Sequence, residues 1–95
     1  METRIFRVVR QGEPALVQSK VSDRQMWKCN IVLREVGGLR ADEFVATMIG
    51  ADAQSVFREL ELVAATLRFE THEYQGRVFQ DALVTDIVKL TQAFS

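Results

Sequence analysis

Apolar and polar residues alternate with a period of two along much of this chain, the spacing of strands that turn one face inward. In Thr3 to Arg10, Ile5, Phe6, Val8 and Val9 stand among arginines, a β-rich segment with side chains directed to both faces and the first predicted strand. Gln11-Gly12-Glu13-Pro14 is a turn or bulge signal, and the polar stretch Gln18 to Gln25 has little to bury, so it suits a loop. Trp27, Cys29, Ile31 and Leu33 then alternate with Met26, Lys28, Asn30, Val32 and Arg34, the second predicted strand.

A glycine-containing connection from Val36 to Asp42 leads to Glu43 to Ile49, a third strand through Phe44, Val45 and Thr47 that ends at Gly50. Beyond it, Asp52 is placed to cap a short helix with Ala53, Val56, Phe57 and Leu60 on one face. From Leu62 to Glu70 the residues Val63, Ala65, Leu67 and Phe69 share one face of a fourth strand; strand parity puts Phe69 in the core, and helical spacing puts Phe57 there. The turn Tyr74-Gln75-Gly76-Arg77 supplies a glycine where positive φ is cheap, and Val78 to Leu90 contains the fifth strand. Three strands, one short helix, then a hairpin is the order of the OB-fold, an all-β, five-stranded Greek-key barrel with a helix between its third and fourth strands. Its second and third strands and two loops commonly bind oligonucleotides, although such barrels also serve as protein-docking modules.

Ninety-five residues hold one core, so residues 1–95 read as a single domain. The net charge of -1 excludes a protein that binds nucleic acid by bulk charge, but the charge is uneven. Residues 1 to 40 carry eight Lys and Arg against four acids, and residues 41 to 95 carry four against nine. A basic first half that forms one surface attracts a polyanion; ordinary solvated charge scatter is the competing reading. The lone cysteine, Cys29, forms no internal disulfide, and no Cys/His cluster for a metal is present, which fits a reducing cytoplasm. The N-terminus lacks the apolar core of a signal peptide and no run reaches the roughly 18 apolar residues of a membrane span. Catalysis is not expected: His72 is the only histidine, no Ser/His/Asp or metal spacing is visible, and Gly37-Gly38 lacks the lysine of a phosphate loop. Glu70, Glu73 and Asp81 offer the makings of a paired-carboxylate site, the competing reading being surface acids that flank a hairpin.

Glu73-Tyr74-Gln75-Gly76-Arg77-Val78-Phe79-Gln80-Asp81 resembles the last hairpin of bacterial single-stranded-DNA-binding proteins, especially the short OB-fold members of Bacteroidetes. Trp27-Lys28 opening the second strand and Phe44 to Gly50 closing the third extend the resemblance over most of the chain. The sequence is also similar to the primosomal replication protein N family, small tail-less OB dimers that bind single-stranded DNA. Members of the first family often continue into a Gly/Pro-rich tail with an acidic tip that recruits partners, and the expectation here is a form without that tail. The segment between the third and fourth strands is acidic for a DNA-binding barrel. What the resemblance implies is non-catalytic binding of single-stranded DNA, or RNA, with little sequence preference, no cofactor or metal, and a homo-oligomer, dimer or tetramer.

Single strands are held by cations along the phosphates and by aromatic faces under the bases. On the second strand Lys28, Asn30 and Arg34 share the face opposite Trp27, Ile31 and Leu33, forming a basic strip or simply the polar side of a half-buried strand. Arg7, with Lys20 and Arg24 from the loop between the first two strands, extends the strip. Tyr74 and Arg77 sit at the hairpin tip, Tyr74 being the leading stacking candidate, with packing on its own hairpin as the alternative. Phe44 and Phe79 lie near strand starts and suit either stacking or packing, whereas the parity of Trp27 favours the core over stacking. The rival function is an OB-fold interaction or oligomerisation module with no nucleic-acid ligand.

Overall fold

The computed structural model of this protein describes residues 3–18, 24–36 and 42–90. The strands are β1 (Thr3–Gln11), β2 (Ala15–Gln18), β3 (Gln25–Glu35), β4 (Glu43–Ile49), β5 (Leu62–Tyr74) and β6 (Arg77–Lys89), with a short helix α1 (Ala51–Gln54) between β4 and β5. Five of the strands close on themselves: β1 pairs with β3, β3 with β4, β4 with β6, β6 with β5, and β5 again with β1. All these pairings are antiparallel except the β4 to β6 contact at Thr47 and Leu83. That connectivity is the Greek-key barrel of the OB-fold, as the order of elements predicted.

Alternate residues of the five barrel strands fill it. Phe6 and Val8 from β1, Ile31 and Leu33 from β3, Ala46 and Met48 from β4, and Val63 and Ala65 from β5 are almost completely withdrawn from solvent. Two irregularities keep the alternation aligned with the core, because one inserted residue switches every later side chain to the other face. In β1 the register with β3 shifts between Val8 and Arg10, so Arg10 turns to solvent and Gln11 turns inward opposite Ile31. In β6, Thr85 is passed over between the partners of Thr66 and Leu67, so Val84 and Ile87 both point into the barrel. The Thr85 hydroxyl closes that bulge by donating to the Thr66 carbonyl at 3.1 Å.

Four expectations from sequence need correction. Ala15 to Gln18 forms the extra strand β2: after the Gly12-Glu13-Pro14 bend the chain resumes pairing with β3, placing Leu16 opposite Trp27. The helix stops at Gln54, with Gly50 rather than Asp52 at its cap position, and Val56 and Leu60 are exposed at 68% and 66%. Phe57 alone of the later apolar face is buried, since a single turn has too few hydrogen bonds to propagate. Trp27, expected in the core, is 36% exposed at the start of β3, where its cross-strand partner Leu16 is itself open to solvent. Phe69 is 58% exposed because β5 and β6 run on as a hairpin past the end of β1, whose pairing stops at Thr3 opposite Thr66.

Candidate nucleic-acid interface

The outward positions of β3 and β4 meet in pairs across the strands. Lys28 stands opposite Ile49, Asn30 opposite Thr47, Val32 opposite Val45 and Arg34 opposite Glu43. Parity therefore places Lys28, Asn30 and Arg34 together on the solvent face of β3, as expected. Thr47 donates from its hydroxyl to Asn30 Oδ1 at 3.3 Å, and Arg34 Nε donates to Glu43 Oε1 at 3.0 Å with a second contact from its terminal nitrogen. An exposed pair of this kind is worth at most about 1 kcal/mol, and the Glu43 carboxylate competes with a phosphate for Arg34.

Arg7 extends the strip across the next strand boundary, directly opposite Arg34 in the β1 to β3 register. Its guanidinium donates to the Leu60 carbonyl at 2.8 Å. Leu60 has φ 70, a left-handed conformation that a branched side chain resists. The Arg7 bond, with the Leu60 N–H donating to the Val8 carbonyl at 2.7 Å, holds it there. The residue thus has a structural task besides its charge.

The hairpin of β5 and β6 turns through Gln75 (φ 51) and Gly76 (φ 77), the two positive angles of a type I′ turn whose twist suits paired strands. One of its faces carries Tyr74 opposite Arg77, His72 opposite Phe79 and Glu70 opposite Asp81. The His72 and Phe79 rings stack with centroids 5.5 Å apart at 22°, and His72 Nδ1 lies 3.2 Å from Asp81 Oδ2. Lys28 reaches this face from β3, and with His72, Glu73, Tyr74, Phe79 and Asp81 it lines an open cleft of about 740 Å³.

The structure thus gathers Lys28, Tyr74 and Phe79 at one place, with Arg77 at the tip and Asn30, Arg34 and Arg7 leading away along the strip. Phe44 points the other way, edge-on to Phe6 at 5.4 Å, and packs against the core. Trp27 lies on the opposite face of β3 from Lys28. Arg24 is exposed just before β3, and Lys20 lies outside the described residues. His72 and Asp81 belong to the cleft although neither is among the binding residues expected from sequence. Their signal was parity: His72 is two residues before Tyr74, and Asp81 two after Phe79, so each pair shares a face.

Among the described residues no three His, Cys, Asp or Glu side chains come together as a metal site, and no helix is long and apolar enough to cross a membrane. Asp52 on α1 has its carboxyl held above the ordinary carboxylate range, first by partial burial and then by the charge of Asp86. Neither residue lines the cleft. No protein-family model matches the chain, and no curated protein matches it either.

Proposed function

We propose that the protein binds single-stranded nucleic acid, DNA in the first instance, without catalysis and with little sequence preference. The observation that carries this is the meeting of Lys28 with the rings of Tyr74, Phe79 and His72 in one open cleft at the end of the β3 and β4 face. A single strand needs both elements at once, a cation beside the phosphates and aromatic faces under the bases, each stack being worth about 1 to 3 kcal/mol. The strand would run from the hairpin along Asn30 and Arg34 towards Arg7. The resemblance of the hairpin to bacterial single-stranded-DNA-binding proteins agrees with this reading. One such barrel covers about 4 to 16 nucleotides, so two or more copies on one strand would bind with greater avidity.

Fluorescence anisotropy of a labelled oligo-dT of about 30 nucleotides, titrated at low and rising salt, tests it. Binding is expected to weaken with salt. Tyr74→Ala should reduce affinity by about 1 to 3 kcal/mol, and Lys28→Ala should both reduce affinity and flatten the salt dependence by about 0.7 in the log–log slope. Failure to bind at low salt overturns the reading.

A second reading rests on a separate feature. At one end of the barrel Phe6, Phe44, Leu67 and Phe69 line an opening of about 630 Å³, rimmed by Arg4 and Arg68 and by Glu35, Asp42 and Glu43. An apolar floor with a rim of both signs suits a protein partner better than a phosphate chain. It becomes the working function if the oligonucleotide does not bind.

A further inference from the structure

His72 is the only histidine in the chain, and the fold sets it inside the cleft. It is fixed from two sides, by the ring of Phe79 stacked against it and by Asp81 3.2 Å from Nδ1. The other charged or titratable groups around it are Lys28 from β3, Glu70, Glu73 and Tyr74 from β5, and Arg77 from β6. Imidazole is the side chain that ordinarily gains and loses its charge between about pH 5 and 8. With His72 neutral, the cleft walls carry one cation, Lys28, against the two carboxylates Glu73 and Asp81, a balance that disfavours phosphate. With His72 protonated, Nδ1–H donates to Asp81 and offsets that carboxylate, while Nε2–H remains as a second charged donor.

We propose that His72 is a proton-linked phosphate contact, so that this site binds single-stranded nucleic acid more tightly as the pH falls from 8 to 6. The inference rests on the single-strand reading of the same cleft. By linkage the coupling runs both ways: the ligand that prefers the protonated form also makes His72 hold its proton more firmly.

The test is the oligo-dT titration repeated at pH 8 and pH 6, each over a range of salt, with wild type, His72→Gln and His72→Lys, and with circular dichroism melts to verify folding. Wild type should bind about fivefold or more tightly at pH 6, the low end of ordinary coupling between two ligands. Its log–log salt slope should steepen by about 0.7, the signature of one added phosphate contact on a single strand. His72→Gln should abolish both differences, and His72→Lys, charged at both pH values, should bind with no dependence on pH. Equal affinity and slope for wild type at the two pH values overturns the proton link and leaves the single-strand reading standing. A pH dependence that survives in His72→Gln also overturns it. Absence of binding at both pH values overturns the link and the single-strand reading together.

Discussion

Gln11 replaces with one side chain what the predicted helix would have supplied. Its Nε2 donates to the Ser55 carbonyl at 2.7 Å and its Oε1 accepts the Phe57 N–H at 2.7 Å, so the segment after α1 is pinned to β1 and Phe57 is pressed into the barrel end. Gln11→Ala would leave the Phe57 N–H without that acceptor, and the expected loss is about 1 to 3 kcal/mol, seen in urea unfolding as a lower midpoint at unchanged slope. The sequence showed Phe57 as apolar and spaced for burial, but not that Gln11 faces inward, because the register shift after Val8 that turns it is a property of the paired strands. Trp27 and Phe69 show the same limit differently. Both have the side of the strand that parity assigned, yet both stand beyond the neighbours that would have covered them.

The β5 to β6 hairpin is the element on which the candidate site depends, and its turn was the most legible part of it. Gln75-Gly76 between β-rich runs predicts a two-residue turn, and the two positive φ angles bear this out. An added Cβ at Gly76 meets nothing within 4 Å, so Gly76→Ala is opposed by backbone conformation alone. It should cost about 1 kcal/mol in thermal unfolding. Gln75→Asn should act in the opposite direction by a few tenths of a kcal/mol, since asparagine tolerates the left-handed region better, as about that much separates good turn residues from poor ones. The length of the hairpin was not legible. Glu70 to Tyr74 are polar or aromatic and exposed, and nothing in their alternation says whether β5 continues, which is settled only by pairing with β6.

At the scale of the molecule, the barrel closes only when residues far apart in the chain meet, Phe6 with Glu35 and Val63 and Thr47 with Leu83 among them. Because the ring is closed by these long-range pairs, equilibrium unfolding should be a single transition in which Trp27 fluorescence and far-ultraviolet circular dichroism coincide. Phe6→Ala, removing a ring that is almost fully buried at the centre of this closure, should destabilise by about 3 to 5 kcal/mol and move both curves together. Two separate transitions would show that the barrel is not one cooperative unit. The sequence by itself determined the succession of the five barrel strands, the place of the helix, the turn at Gly76 and which face of β3 carries Lys28, Asn30 and Arg34, because these follow from local conformational preference and a period of two. Only the tertiary structure decided that Lys28 meets Tyr74 and His72, that Arg34 is shared with Glu43 and that Phe44 turns inward to Phe6. Those contacts join different strands, and their partners depend on register, bulges and barrel closure, none of which any single strand encodes.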